Sequence, residues 1–320
     1  MTEASTALRT TSDFRRARRR ASQEDLRCLL SRLPANLLPF EVVRQNLSLT
    51  NYVYRGLHSV PLDSIVGSVG RYHDFNRHFW PRQDALRDRW ARVAHLMVWG
   101  SGLPPIQLYL VDEVYFVKDG NHRVSVSRYL DTPAIESFVW EFNSRVPLTL
   151  NTRLEDLPLK EELVSFLKHT DLDRTRPQQE VVFTILGSCR ALEEHISAHR
   201  YWLENLNGSE VPLAKAVGSW YDLVYTPMVE IIRERNLLSY FPQRTESDLY
   251  LSTLNHHHYL VNSLERPVSL DQTIENYVEH FSPQLRYRVP RLLRYWLRGE
   301  RRPPVPAPSA VTTPANGDAS

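Results

Sequence analysis

Residues 105–130 contain the pattern that most constrains how this chain can fold. Two β-type runs, 105–110 and 113–118, stand close together and predict a hairpin. The second run passes directly into Asp119–Arg123, after which residues 124–130 have helical spacing. A hairpin that continues into a helix predicts a compact α+β module.

The segments on either side extend this module. Val60–Gly67 reads as a short strand upstream, Ala134–Trp140 predicts a further strand, and a helical pattern lies between the upstream strand and the hairpin. We therefore place the module at residues 58–146. Helices are expected before it, in residues 22–57, the first of them capped by Ser22.

After residue 146 the chain predicts helices almost throughout. Ser269 and Gln272 are placed as a capping box ahead of an apolar helical face. Pro227 predicts a kink or a restart inside the long helical segment 213–238.

The predicted fold class is α+β, with the module followed by a mostly α-helical domain at residues 147–300. The two ends are predicted to be disordered, and the alternative for Phe14–Arg20 is an extension of the first helix. Residues 1–21 are basic, and residues 301–320 are rich in proline and poor in large apolar side chains.

Cysteine content and hydropathy limit the compartment. The 320 residues include two cysteines, Cys28 and Cys189, which are far apart and have no metal-ligand spacing. This argues against a disulfide framework or a zinc site and favours a reducing cytoplasm. No run of about 18 uncharged apolar residues exists, so we expect no membrane span and no membrane partner. The amino terminus also lacks the apolar core of a secretory signal.

The charge is unevenly placed along the chain. Residues 1–20 carry six arginines against two acidic residues, and residues 286–302 carry seven against one. Such arginine-rich ends suit the phosphates of DNA or another anionic surface. The alternative is a solubilising flank whose charges are balanced by the acidic body of the chain.

The segment Asp119-Gly120-Asn121-His122-Arg123 carries the chemistry that points to a site. A helix that starts at a strand end presents free backbone N–H groups and a positive dipole to an anion. Gly120 lets the backbone approach a ligand, Arg123 can hold a phosphate bidentately, and His122 can donate to it or move a proton. Asp119 can orient His122 or bind Mg²⁺. The alternative is a plain turn in which Asp119 caps the helix.

The motif and the order of elements resemble the ParB/sulfiredoxin superfamily. A strand at Val60–Val66 is followed by a helix, by Leu103-Pro104-Pro105-Ile106 opening a hairpin, and by Tyr115–Val126, which contains the motif. The resemblance covers residues 58–142 and implies the superfamily's α+β fold. The attached helical domain resembles that of bacterial proteins whose role is unassigned.

The resemblance implies nucleotide binding and excludes one reaction. Where sulfiredoxins have their reactive cysteine this chain has Asn121, so sulfinic-acid reductase chemistry lacks its nucleophile. Partitioning ParB proteins have Gly-Glu-Arg-Arg, of which Gly120 and Arg123 match while Asn121 and His122 differ. The expected ligand is ATP or CTP with Mg²⁺. Hydrolysis or phosphoryl transfer, with His122 and Asp119 as catalytic residues, is left open.

The loop that follows the first predicted strand adds two expected phosphate ligands. In ParB-like folds an arginine of this loop approaches the same phosphates, and Arg71 and Arg82 are the candidates. Tyr72, Phe75 and Trp80 are candidates to stack on a base. The alternative is a basic loop with aromatic side chains packed beneath it.

Two further hypotheses belong to other functional classes. In the first, the chain is a DNA-binding transcriptional regulator or partition-like protein that uses the module as a switch and contacts DNA through its arginine-rich ends. In the second, it is an interaction protein with a vestigial site. A homodimer is compatible with all of these readings.

Overall fold

The computed structural model describes residues 3–31, 34–100, 103–264 and 266–284. Internal contacts divide the chain into two compact units, the first ending at Val164 and the second beginning at Ser165. The arginine-rich segment 286–302 and the predicted disordered tail lie outside the described residues.

The first unit combines a mixed sheet with helices, which confirms the expected class of α and β elements. In chain order its elements are α1 (Glu3–Ser31), β1 (Leu38–Pro39), α2 (Phe40–Asn46), β2 (Tyr52–Pro61), β3 (Ile65–Ser68), α3 (Arg87–Trp99), β4 (Ile106–Val111), β5 (Val114–Asp119), α4 (Asn121–Tyr129) and β6 (Ala134–Phe142).

The sheet has the order β1-β3-β5-β4-β6-β2. Strands β1, β3 and β5 are parallel to one another, and β4 is antiparallel to β5, as the predicted hairpin requires. The last residues of β1, β3 and β5 (Pro39, Ser68 and Asp119) therefore lie at one edge, together with Ile106 at the start of β4. We call this the carboxyl edge of the sheet.

Helix α1 corrects the expectations for the amino terminus. Residues 3–21, which were predicted to be disordered, belong to a helix that continues through Ser22, the predicted cap. The reason is packing, since Phe14 and Ala17 are fully buried and the Phe14 ring meets Trp90 edge-on with centroids 5.8 Å apart. The amino-acid composition of residues 3–21 does not show that these two apolar side chains pack against another part of the protein.

The upstream strand also differs from its prediction. Val60–Gly67 is not one strand, because a 3₁₀ turn at Leu62–Ser64 separates the end of β2 from β3. The turn lets β2 pair with β6 at one side of the sheet while β3 joins β5 at the other.

The core of the first unit lies between the sheet and α1, α3 and α4. Trp90 of α3 is fully buried, and its indole Nε1 donates to Ser125 Oγ of α4 at 2.9 Å. On the opposite face of the sheet the ring of Phe40 lies against Tyr109 and Phe116. The first of these two cores holds α4 in place against the sheet.

From Leu154 onward every described regular element is helical. The α-helices are α5 (Leu157–Thr170), α6 (Leu172–Thr175), α7 (Ser188–Asn207), α8 (Leu213–Trp220), α9 (Thr226–Glu234), α10 (Glu246–Leu264) and α11 (Leu270–Phe281). The predicted capping box is confirmed, because Ser269 Oγ accepts from the Gln272 backbone N–H and Gln272 Oε1 accepts from that of Ser269.

The predicted segment 213–238 is interrupted by a π-helical turn at Tyr221–Tyr225, between α8 and α9. Pro227 is the second residue of α9, where the missing N–H is tolerated. The second unit packs around Trp220, whose indole donates to the Tyr250 hydroxyl at 3.2 Å. In the described part of the chain, no helix is long and apolar enough to cross a membrane.

The packing of α1 predicts a large effect for Phe14→Ala. Removing this fully buried ring should lower the free energy of unfolding by about 3–5 kcal/mol, as for other buried Phe→Ala substitutions. Urea unfolding of the full chain would measure it. Arg15→Ala, next to Phe14 but exposed, should change the free energy by less than about 0.5 kcal/mol. Equal effects of the two substitutions would show that α1 does not pack against the rest of the first unit.

Candidate functional site

Gly120 forms the turn between β5 and α4. Its φ of +116° lies in the left-handed region, a backbone conformation that residues with a side chain rarely adopt. A Cβ on Gly120 would also stand 2.4 Å from Ile106 Cγ2, too close for any real contact. Both constraints require glycine, and together they start α4 directly at the carboxyl edge of the sheet.

Among the described residues, no side chain caps the amino end of α4. The Val124 N–H closes the first turn by donating to Gly120 O at 3.0 Å. The backbone N–H groups of Asn121, His122 and Arg123 precede it and point out of the helix end, as in every α-helix. This end therefore combines free donors with the positive end of the helix dipole.

Ser68 and Asn121 connect β3 to the first turn of α4. Ser68 is fully buried at the carboxyl end of β3, and its Oγ lies 2.8 Å from Asn121 Oδ1 and 3.2 Å from Val117 O. The contact uses the carbonyl oxygen of Asn121 and leaves its amide N–H₂ available to another acceptor.

The imidazole of His122 is buried without a hydrogen-bond partner. The residue is 4% exposed, and neither ring nitrogen has a partner among the described residues. The ring of Phe75 meets it edge-on, with centroids 5.4 Å apart. A buried donor and a buried acceptor that both lack partners are costly, and in native proteins such groups need an explanation, such as a catalytic role or a bound water or ion.

The positive charges of two arginines act on the His122 ring. Burial first, and then the charges of Arg89 and Arg71, lower the pKa of His122 from 6.5 to about 4. The imidazole is therefore neutral near pH 7. Arg71 lies just beyond β3 with a left-handed φ of +57°, and its Nη1 donates to Asp74 Oδ2 at 3.0 Å.

Arg123 and Asp119, both predicted site residues, are bonded to the protein itself. The Arg123 guanidinium forms an ion pair with Asp119 and donates to the carbonyl oxygens of Pro104 and Pro105, the latter at 3.2 Å. Its side chain is 14% exposed. Arg123 thus fastens the start of β4 to α4, which differs from the predicted bidentate phosphate contact.

Arg82, the other predicted phosphate ligand of this loop, is also bonded to the protein itself. Its Nε and Nη2 donate to the two carboxylate oxygens of Asp25, each at 3.0 Å. Its remaining contacts are Asn36 Oδ1 at 2.6 Å and Ala35 O at 3.0 Å. These bonds hold α1 to the loops around it, and they occupy every nitrogen of the guanidinium.

A cavity of about 800 Å³ opens beside the carboxyl end of β1. Its walls include Leu38 and Pro39 of β1 together with Tyr72 and His73, the two residues that follow Arg71. Tyr72 is thus placed where a ligand could reach it, whereas Phe75, another predicted stacking residue, is fully buried in the core.

Sequence reasoning did not single out Ser68 and Arg89. Three of its candidate site residues, Asn121, His122 and Arg71, lie at the start of α4 or act on the His122 ring, and their roles stay predictions. Ser68 lies just beyond the predicted strand Val60–Gly67, and no motif singled it out. Arg89 had no signal, since its relation to His122 depends on how α3 packs. In the described residues, no cluster of three or more His, Cys, Asp or Glu side chains could hold a metal ion.

Comparisons with known proteins give no assignment for this chain. It matches no model of a protein family and no curated protein. The resemblance to the ParB/sulfiredoxin superfamily therefore stays a prediction that rests on the motif and the order of elements.

The burial of His122 predicts a specific loss of stability in acid. The unfolded chain takes up this proton near pH 6.5 and the folded protein near pH 4, so stability is lost as pH falls through this window, by up to about 3 kcal/mol. Urea unfolding across this pH range would measure the slope.

His122→Gln should reduce that slope, whereas His73→Gln, at an exposed neighbouring position, should leave it unchanged. The measured quantity is the slope of the free energy of unfolding against pH. A loss of stability that is the same at every pH does not change this slope. An unaltered slope in His122→Gln would show that His122 does not titrate as a buried group.

Proposed function

We propose that the first unit binds a nucleotide by its phosphates at the carboxyl edge of the sheet, as the resemblance to ParB/sulfiredoxin proteins implies. One observation carries the proposal. The partnerless, buried ring of His122 lies at the uncapped start of α4, within the field of Arg71 and Arg89.

A phosphate would complement each of these groups. Its oxygens accept hydrogen bonds, so it would pair with the free N–H groups of α4, with a ring N–H of His122 and with the amide of Asn121. Its negative charge would offset Arg71 and Arg89, which otherwise act on a neutral ring. Phosphate binding should therefore raise the pKa of His122.

The cavity beside Tyr72 and His73 suits the rest of the nucleotide. Tyr72 lines this cavity and directly follows Arg71, so the rest of the nucleotide would extend from Arg71 toward Tyr72. Its volume of about 800 Å³ lies within the range typical of small-molecule sites. In this proposal the Tyr72 ring contacts the base or the sugar of the nucleotide.

Mg²⁺ fits this site only as a companion of the phosphates. Asp119 is the one carboxylate at the motif, and it is paired with Arg123. Proteins commonly hold Mg²⁺ through one or two carboxylates plus the substrate's phosphates. Asp119 would supply that carboxylate, and the ion would neutralise phosphate charge.

Turnover of the nucleotide, by hydrolysis or phosphoryl transfer, would place His122 in the acid/base role. A neutral imidazole can accept a proton from an attacking water or hydroxyl group, and Arg71 would offset charge on the transferred group. Reductase chemistry of the sulfiredoxin kind is not part of the proposal, because Asn121 is not a nucleophile and burial raises the pKa of the Cys28 thiol.

The proposal predicts nucleotide binding that depends on Arg71 and His122. Calorimetric titration with ATP, ADP, CTP and GTP in Mg²⁺ should find at least one ligand, and Arg71→Ala should weaken it about tenfold or more, the usual loss for a charge-assisted hydrogen bond. Arg44→Ala removes an exposed arginine of α2 and should have no effect. Absence of binding by every nucleotide would overturn the proposal.

DNA binding is a second candidate, favoured by one face of α1. Arg15, Arg16 and Arg19 are exposed there and form no ion pair or hydrogen bond within the described residues. If they contact a duplex backbone, the logarithm of affinity should fall steeply with that of salt, and replacing all three by alanine should reduce the slope by about 2–3. An equal slope in the triple variant would exclude this surface.

A further inference from the structure

Helix α3 presents a stripe of four residues to solvent. Arg89, Arg92, Leu96 and Trp99 follow one another at intervals of three and four, so they share one face of the helix. Both arginines are exposed, and Leu96 and Trp99 are 38% and 58% exposed. We call this set the α3 stripe.

Packing of the protein does not account for the α3 stripe. The opposite face of α3 carries Trp90 and Ala94, which are buried in the core. Neither Arg89 nor Arg92 forms an ion pair or a hydrogen bond with any described residue, whereas Arg87, on the same helix, lies 3.9 Å from Asp84. Two unpaired cations and an exposed indole are thus lined up on one surface.

The α3 stripe begins near the first turn of α4. Trp90, which follows Arg89 in α3, donates to Ser125 Oγ of α4 at 2.9 Å. The charge of Arg89 also contributes to the lowered pKa of His122. The Arg89 end of the α3 stripe therefore lies beside the proposed phosphate site.

We propose that the α3 stripe binds single-stranded nucleic acid whose terminal phosphate occupies the site at α4, a proposal that rests on the nucleotide-binding function. Arg89 and Arg92 would contact successive backbone phosphates, and a base would stack on Trp99. Arginines that follow the backbone beside an aromatic ring that stacks a base are how proteins commonly hold single strands.

The dimensions and chemistry of the α3 stripe favour a single strand. From Arg89 to Trp99 the helix rises about 15 Å, enough for a few nucleotides. A duplex hides the faces of its bases, so it would leave Trp99 without a stacking partner. An apolar protein surface would cover Leu96 and Trp99 but would bury the two arginine charges unpaired.

The test compares an oligonucleotide with a mononucleotide on the full chain. The probes are a 5′-phosphorylated oligodeoxythymidine of about twelve nucleotides, labelled at its 3′ end, and thymidine monophosphate as competitor. Fluorescence anisotropy over a range of salt concentrations gives the affinity and its salt slope. The variants are Trp99→Ala and Arg92→Ala, with Trp202→Ala as a matched control because Trp202 is 55% exposed in the second unit.

The oligonucleotide should bind more tightly than the mononucleotide. Trp99→Ala should weaken it about tenfold, the loss expected for one stacked base, and Arg92→Ala should lower the salt slope by about 0.7. Both variants should bind the mononucleotide like the wild type, and Trp202→Ala should change nothing.

Two results would overturn the α3 stripe as a strand site. One is an oligonucleotide affinity no higher than that of the mononucleotide, and the other is wild-type affinity in both stripe variants. Failure of the nucleotide proposal gives a different result. The wild type and Arg71→Ala would then bind the mononucleotide equally well, or neither would bind it. The stripe variants would still weaken oligonucleotide binding. A duplex of the same length that competes as well as the single strand would also count against the proposal.

Discussion

The close approach of Gly120 to Ile106 is the constraint on which the site depends. With no Cβ at Gly120, β5 can turn into α4 without pushing away the start of β4. The same gap lets Arg123 reach back to the carbonyl oxygens of Pro104 and Pro105. Strand, helix and hairpin are thereby held together at one point, and α4 begins where β3 and β5 end.

The arginines of the first unit fall into two groups, those that bond to acceptors within the protein and those that do not bond to any described residue. Arg77 is buried and donates to Val66 O at 2.8 Å, and burial lowers its pKa to about 10. Arg82 and Arg123 donate to carboxylates and carbonyl oxygens of the protein itself. Arg89 and Arg92 receive no such partner from the described residues, which makes them the better candidates for a ligand. A short arginine motif therefore says little about function until its acceptors are known.

Local patterns were sufficient where the causes are local. The hairpin of β4 and β5 follows from β-type runs joined by a short turn, and α11 follows from the capping box at Ser269. The helix that follows Gly120 was also predicted, since the motif itself contains the turn. The continuity of α1 was left open, because it depends on burial of Phe14 against a helix more than 70 residues away in the chain.

The sequence by itself determined that a glycine turn, an asparagine and a histidine open a helix at a strand end, and that no cysteine lies in that motif. Tertiary structure decided which of the charged groups face this turn. Arg123 bonds to the carbonyl oxygens of Pro104 and Pro105 and Arg82 to Asp25, while the packing of α3 brings the charge of Arg89 to His122. The physical reason is that each guanidinium bonds to acceptors brought near it by folding, and acceptors distant in the chain leave no pattern around the arginine itself.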